Sequence, residues 1–128
     1  MTDTSIKILL VDDFATMRKI IKNLLGKLGY QEVREAENGV VALEMLKSDN
    51  FNLIIADWNM PKMTGLDLLK TVRKDEKYKN TPFMMVTSEA NKDNIIAAVE
   101  AGADDYIVKP FNADTLKEKV KEILNQLD

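Results

Sequence analysis

Residues 53–61 read LIIADWNMP, and this stretch decides the fold. Its four leading apolar residues are too few for a helix, and no polar residue alternates with them. Such a run is typical of a strand that is covered on both faces of a parallel sheet. Asp57 follows directly, where an isolated carboxylate would be poorly solvated. The stretch therefore predicts a buried strand with a functional carboxylate at its carboxyl end.

Similar short apolar runs occupy residues 8–11, 83–86 and 106–108, and a weaker one lies at 33–36, which gives five predicted strands with 53–56. Helical spacing of apolar residues lies between them and after the last, within residues 17–28, 39–46, 66–72, 95–99 and 116–127. Gly29 and Gly102 are placed to end the first and fourth helices. This alternation predicts an α/β fold with a parallel sheet, helices on both faces and right-handed crossovers. We expect a single domain over residues 1–128, without an output domain.

Composition excludes several classes of function. The 128 residues carry a net charge of −3, which does not favour nucleic acid or an anionic membrane as a partner. Cysteine and histidine are both absent, so disulfides, thiolate chemistry and imidazole acid–base catalysis are unavailable. No segment approaches the ~20 apolar residues of a membrane span. We expect a cytoplasmic monomer.

The chemistry should lie beyond the carboxyl ends of the strands, where ligands bind in parallel α/β folds. The residues there are Asp12 and Asp13, Glu37 and Asn38, Asp57, Thr87 and Ser88, and Lys109 and Pro110. Converging carboxylates repel one another unless a cation binds them, and oxygen ligands alone favour Mg²⁺. A carboxylate can also accept a phosphoryl group, whose oxygens a hydroxyl and an ammonium would then contact. The combination predicts a phosphoryl-transfer site.

Each of these residues also has a structural alternative. Asp12 or Asp13 could cap the first helix, and Thr87 or Ser88 the fourth. A lone Lys109 is usually a solvated charge. Their joint occurrence at several strand ends favours the functional interpretation.

The motif formed by Asp12-Asp13, Asp57, Met60-Pro61, Gly65, Thr87 and Lys109-Pro110 resembles the response-regulator receiver family of two-component regulatory systems. The resemblance covers the whole chain. Within that family the chain is most similar to chemotaxis response regulators. The segments that carry this similarity are DDFATMR at 12–18, ADWNMP at 56–61, VTSEA at 86–90, NIIAA at 94–98 and VKPF at 108–111. The resemblance implies a flavodoxin-like (βα)5 three-layer sandwich with a parallel five-stranded sheet of order 2-1-3-4-5.

The resemblance also implies a phosphoprotein and assigns the roles at its site. Asp57 would receive phosphate from a phosphohistidine on a chemotaxis histidine kinase, which fits a chain without histidine of its own. Asp13, Asp57 and the backbone carbonyl of Asn59 would bind magnesium, with Asp12 reaching it through water. Thr87 would hydrogen-bond the phosphoryl group and Lys109 would form an ion pair with it, while Tyr106 would swing inward as Thr87 moves. Asn59 and Glu89 would tune hydrolysis of the acyl phosphate.

By the same resemblance, the phosphorylated form would bind the flagellar motor switch protein and control flagellar rotation. The implied partner face comprises Ala90, Lys92, Ile95, Tyr106, Val108 and Lys119. The protein would catalyse only its own phosphorylation and dephosphorylation, assisted by a phosphatase of unknown type. Thr64 departs from the family pattern, which usually has Asp or Asn before the glycine, and leaves the conformation of that loop open.

Three alternatives remain at this point. A stand-alone receiver in another two-component pathway or phosphorelay would use the same site with a different partner face. A haloacid-dehalogenase-type phosphatase would need a second Asp where Asn59 stands. A flavin or nucleotide carrier would need a glycine-rich loop after the first strand, where the chain has Asp12 and Asp13 instead.

Overall fold

The fold was analysed in a computed structural model, which describes residues 6–88 and 91–125. Over these ranges the chain forms five strands and five helices in strict alternation, as predicted. In chain order they are β1 (Lys7–Val11), α1 (Ala15–Lys27), β2 (Glu32–Ala36), α2 (Gly39–Ser48), β3 (Leu53–Asp57), α3 (Gly65–Lys74), β4 (Phe83–Thr87), α4 (Lys92–Ala101), β5 (Asp105–Val108) and α5 (Ala113–Asn125). Among the helices of these ranges, none is long and apolar enough to cross a membrane.

The strands form a parallel sheet in the order β2-β1-β3-β4-β5, which confirms the flavodoxin-like prediction. The register aligns the carboxyl ends of the strands. Val11 pairs with Ala56, and Thr87 pairs with Val108. The residues that follow these strands therefore meet at one edge of the sheet.

Helices cover both faces of the sheet, because successive strand residues point to opposite sides. In the described part of the chain, buried side chains form two clusters. One joins α1 and α5 to one face of the strands, through residues such as Ile21, Leu25 and Val120. The other joins α2 and α3 to the opposite face, through Leu46, Leu68 and Val72. The three layers hold the strands rigidly beneath the site.

Strand β2 departs from the predicted continuous apolar pattern. Only Val33 and Ala36 are buried, while Glu32, Arg34 and Glu35 are exposed. The physical reason is its place at the edge of the sheet, where polar side chains reach solvent and discourage pairing with another chain.

The first residues of α1 and α4 show whether the predicted site residues cap these helices. Helix α1 begins after Phe14, whose side chain makes no capping hydrogen bond, and α4 is capped by Asn91, which accepts from the Asn94 N–H at 2.8 Å. The alternative that Asp12, Asp13, Thr87 or Ser88 caps one of these two helices is therefore wrong. Gly102, at φ 102°, ends α4 as predicted, since this left-handed conformation suits glycine.

Candidate functional site

Asp57 is the last residue of β3 and only 7% exposed. The chain that follows is held by backbone hydrogen bonds: the Trp58 N–H donates to the Val86 carbonyl at 2.8 Å, and the Gly65 N–H donates to the Trp58 carbonyl at 2.9 Å. The Asp57 side chain therefore projects from a fixed backbone at the edge of the sheet.

Gly65 allows α3 to start against the end of β3. A Cβ at this position would collide with the Asp57 carbonyl oxygen and would lie 2.8 Å from Met85 Sδ. Because the first of these atoms belongs to the backbone, it cannot move aside as a flexible side chain would. The glycine of the predicted motif is thus required by close packing beside the acceptor.

Lys109 brings a positive charge to Asp57. Its Nζ lies 3.1 Å from Asp57 Oδ1 and 3.9 Å from Asp12 Oδ2, with the lysine side chain mostly buried. Its backbone N–H donates to the Thr87 carbonyl at 2.8 Å, and the Lys109–Pro110 peptide is cis. The interpretation of Lys109 as a solvated surface charge is therefore wrong.

Asp12 is 1% exposed, yet one of its oxygens is left without a hydrogen bond. Oδ1 accepts from the Phe14 N–H at 2.9 Å, whereas Oδ2 has no hydrogen-bond partner among the described residues. A buried carboxylate oxygen without such a partner is costly, and it points to a ligand that this site binds. The Arg18 guanidinium donates to the Asp12 carbonyl at 2.6 Å and holds this loop in place.

Burial dominates the electrostatics of both buried carboxyls. It raises the pKa of Asp12 above its usual value, against a hydrogen bond from Phe14 and the charge of Lys109. It likewise raises the pKa of Asp57, where the hydrogen bond and charge of Lys109 act in the opposite direction and the neighbouring carboxylates raise it further. Desolvation of the two carboxyls therefore outweighs the opposing effect of the Lys109 charge on their pKa values.

The three carboxylates that the sequence predicts as ligands are together. Asp12, Asp13 and Asp57 each offer an oxygen, and these oxygens lie within 4.8 Å of one another. Two of the residues are buried and Asp13 is exposed, so the cluster opens to solvent on one side. A set of oxygen donors that includes one buried oxygen without a hydrogen-bond partner among the described residues fits a hard divalent cation such as Mg²⁺.

Comparison with known proteins shows the family. A model of the response regulator receiver domain matches residues 8–121. The chain belongs to this receiver family. The chemotaxis protein CheY of Pseudomonas aeruginosa is 55% identical to it over 122 residues, which cover 95% of this chain and 98% of that protein.

Solved structures of other receivers have the same fold. Chemotaxis protein CheY4 of Vibrio cholerae has a TM-score of 0.88 and 38% identity, covering 93% of this chain and 98% of that chain. The receiver domain of a Pseudomonas aeruginosa sensor histidine kinase, with a magnesium ion coordinated in its active site cleft, has a TM-score of 0.84 and 25% identity. This match covers 93% of this chain and 97% of that chain. The protein is therefore a chemotaxis-type response regulator of the two-component system, a phospho-acceptor signalling protein whose acidic cluster is compatible with Mg²⁺.

The residues predicted to switch this receiver lie around one small cavity. Thr87, at the end of β4, is buried, and half-buried Tyr106 lies on the neighbouring strand β5. Both line the cavity together with Trp58, Asn94 and Ile95. The sequence analysis assigned no role in this group to either Trp58 or Asn94. Their place becomes apparent only when α4 is packed on the sheet.

The other predicted residues have diverse placements. Asn59 is exposed in the loop after β3, while Glu89 and Ala90 lie outside the described residues. Lys92 is exposed at the start of α4, and Val108 is half-buried at the end of β5.

Lys119 differs from the free surface ammonium that the partner-face prediction implied. Its Nζ lies 3.1 Å from Asp105 Oδ1 and 5.0 Å from the centre of the Tyr106 ring. The lysine is therefore already engaged by an ion pair and a cation–π contact within the chain. A partner that binds it must compete with both contacts.

Thr64, the one departure from the family motif, caps helix α3. Its Oγ1 accepts from the Asp67 N–H at 3.1 Å, and Asp67 Oδ2 accepts from the Thr64 N–H at 3.2 Å. This reciprocal capping box starts α3. Threonine thus replaces the usual Asp or Asn without loss of the cap.

Proposed function

We propose that Asp57 accepts a phosphoryl group from a phosphohistidine on a chemotaxis kinase, and that the phosphorylated protein binds the flagellar motor switch. The observation that carries the proposal is the buried Asp57 carboxylate, paired with Lys109 at 3.1 Å and grouped with Asp12 and Asp13. A structural carboxylate would not require two further acidic groups beside it, since their mutual repulsion is costly.

In the proposed reaction an Asp57 oxygen forms a bond to phosphorus while the P–N bond of the donor phosphohistidine breaks. The electron pair remains on the imidazole nitrogen, which takes up a proton. Lys109 stays charged and pairs with the transferred phosphoryl oxygens, and the Thr87 hydroxyl donates to another of them. Water attack on phosphorus later releases inorganic phosphate and restores the Asp57 carboxylate, and Asn59 and Glu89 would tune that step.

Magnesium would be held by Asp12, Asp13, Asp57 and the backbone carbonyl of Asn59. When bound, it would neutralise charge on the carboxylates and phosphoryl oxygens. Two features support this choice: Asp12 Oδ2 has no hydrogen-bond partner among the described residues, and the clustered carboxylates offer only oxygen donors. The magnesium ion in the related kinase receiver supports it as well. The chain's own residues supply the acceptor, the ammonium and the hydroxyl.

We propose that the conformational change caused by phosphorylation is transmitted through the cavity that Thr87 and Tyr106 both line. A shift of Thr87 toward the phosphoryl group would vacate space that the Tyr106 ring could enter. That movement would change the face formed by Lys92, Ile95, Val108 and Lys119, to which the sequence prediction also assigns Ala90. We propose this face as the contact for the motor switch protein.

The proposal includes a cytoplasmic receiver that acts as a monomer, with a separate phosphatase. The same site in a phosphorelay shuttle is the second candidate, distinguished by the partner that the face binds.

The test of phosphorylation uses acetyl phosphate and Mg²⁺ with the purified protein and no kinase. We expect one added phosphoryl group on Asp57 by peptide mass spectrometry, because the site itself provides the stabilising charges. Asp57→Asn should not gain this modification, and omission of Mg²⁺ should suppress it in the wild type. Phosphate found on Thr87 or Ser88 of the wild-type protein would overturn the assignment.

A further inference from the structure

A groove of about 450 Å³ lies between the C-terminal half of α1 and the start of β2. Its lining includes Lys22, Gly26, Lys27, Tyr30, Gln31 and Val33. Helix α1 starts at the carboxyl end of β1 and runs for 13 residues, or about 20 Å, toward the amino ends of the strands. The groove is therefore remote from Asp57 and separate from the face formed by α4 and β5.

Gly26 has no structural reason to be glycine. A Cβ added there would meet nothing within 4 Å among the described residues, and its φ is not in the positive range that marks Gly29 and Gly102. Glycine is a poor helix former, so this choice weakens the last turn of α1. The Gly26 carbonyl already accepts from Gln31 Nε2 at 3.3 Å and from the Gly29 N–H at 3.0 Å, so what glycine provides is open space at its Cα that another chain can approach closely.

The rim of the groove is positively charged on a negatively charged protein. Lys22 and Lys27 line it, and no carboxylate is among its lining residues in the described part of the chain, whereas the whole chain carries −3. Glu35 is shared by Arg18 at 3.2 Å and Lys22 at 3.4 Å, so one carboxylate serves two cations. Lys22 keeps 46% of its side chain exposed, and Lys27 is exposed as well. Both lysines can therefore attract carboxylates from outside.

We propose that this groove docks an acidic segment of a partner protein. Carboxylates of the segment pair with Lys22 and Lys27, and the backbone of the segment crosses Gly26. Two rim lysines suit a short acidic peptide, while the overall charge of −3 disfavours the longer phosphate array of a nucleic acid. Because the groove is remote from the phosphorylation site, docking there does not depend on phosphate or on a metal.

The experiment is an NMR titration of the full-length protein with the acetylated, amidated peptide Glu-Asp-Leu-Glu-Glu. We expect amide shifts at Gly26, Gln31 and Val33 that saturate with peptide and weaken as salt is raised. Gly26→Gln should reduce the affinity for the peptide at least tenfold, because the glutamine side chain would occupy the groove, where the chain leaves open space. Lys27→Glu should reduce the affinity for the peptide by a similar factor. Lys70→Glu on α3 is the control, because it changes the charge of the protein by the same amount and should leave the affinity unchanged.

Thermal melts establish that each variant is folded, and Gly26→Ala, which adds only a Cβ in open space, provides a milder substitution at the same position. Unchanged affinity in Gly26→Gln, or equal binding of a peptide with Lys in place of every acidic residue, would overturn the proposal. So would peptide shifts confined to α4 and β5. Shifts at the groove that grow with protein concentration, without peptide, would identify a second copy of the chain as the occupant and reject an acidic partner.

Discussion

At the level of single residues, the site concentrates negative charge where solvent is largely excluded. Asp12 is the extreme case, since Oδ2 is buried without a hydrogen-bond partner among the described residues. Asp12→Asn keeps the acceptor for the Phe14 N–H and removes the buried charge. We therefore expect the metal-free variant to gain about 1 kcal/mol in free energy of unfolding, within the range of single stabilising substitutions.

Urea unfolding with and without Mg²⁺ measures this effect. The wild type should be stabilised as Mg²⁺ is added, since a ligand that binds only the folded state raises its stability. Asp12→Asn should respond much less. Asp13→Asn is the matched control, because its carboxylate is exposed and its loss should weaken the Mg²⁺ response with a smaller gain in stability. A lower stability of metal-free Asp12→Asn would contradict this account.

We predict that the charge of Lys109 matters more for switching than for accepting the phosphoryl group. Its ammonium is 3.1 Å from Asp57 Oδ1 before any phosphate is present, so its position must adjust when the phosphoryl group arrives. Lys109→Ala should still be modified by acetyl phosphate, although more slowly, but should gain no affinity for a motor-switch peptide. Peptide binding to both forms of the variant, measured by fluorescence anisotropy, is the test. Full activation of Lys109→Ala would show that the signal leaves Asp57 by another route.

At the level of elements, the start of α3 against the end of β3 positions the acceptor. Gly65→Ala places a Cβ against the Asp57 carbonyl and should cost about 1–3 kcal/mol, as overpacking does. Gly26→Ala is a matched control, because its Cβ has open space and alanine favours the helix by up to about 1 kcal/mol. Chemical denaturation should thus show a lower free energy of unfolding for Gly65→Ala and a higher one for Gly26→Ala. Equal effects at both positions would show that helix propensity, and not the close approach to Asp57, governs Gly65.

At the level of the whole molecule, the proposed switch must be reciprocal. If phosphorylation tightens binding of a motor-switch peptide, that peptide must raise phosphorylation occupancy by the same factor at equilibrium, typically 5–150-fold or about 1–3 kcal/mol. Calorimetry on the free and beryllofluoride-treated protein measures the difference. Tyr106→Ala should reduce it, since it removes the ring that lines the shared cavity and contacts Lys119.

The salt dependence of that titration tests the role of Lys119. Its ammonium is paired with Asp105 at 3.1 Å, so a partner gains only the difference between the two pairings. Lys119→Ala should weaken binding of the peptide modestly, and the loss should be larger at low salt than at high salt. Equal peptide affinity for both forms of the wild type would reject the chemotaxis output and favour the phosphorelay alternative, with phosphorylation of Asp57 unaffected.

The alternation of strands and helices could be read from the sequence, because it depends on local periodicity and on apolar runs such as the one that precedes Asp57. The grouping of Asp12, Asp57, Thr87 and Lys109 could also be predicted, since parallel strands bring their carboxyl ends to one edge. The capping residue of α4 was missed, because Ser88 and Asn91 are both competent caps by sequence.

Tertiary structure alone decided which polar groups are paired. The sequence does not show that Asp12 Oδ2 lacks a hydrogen-bond donor among the described residues, that Lys109 reaches Asp57, or that Asp105 and Tyr106 engage Lys119. Each of these facts depends on distances between segments far apart in the chain, which are set by strand register and helix packing. Local patterns fix the character of an element because they act through neighbouring residues, whereas the charge balance of a site arises only when distant elements are packed together.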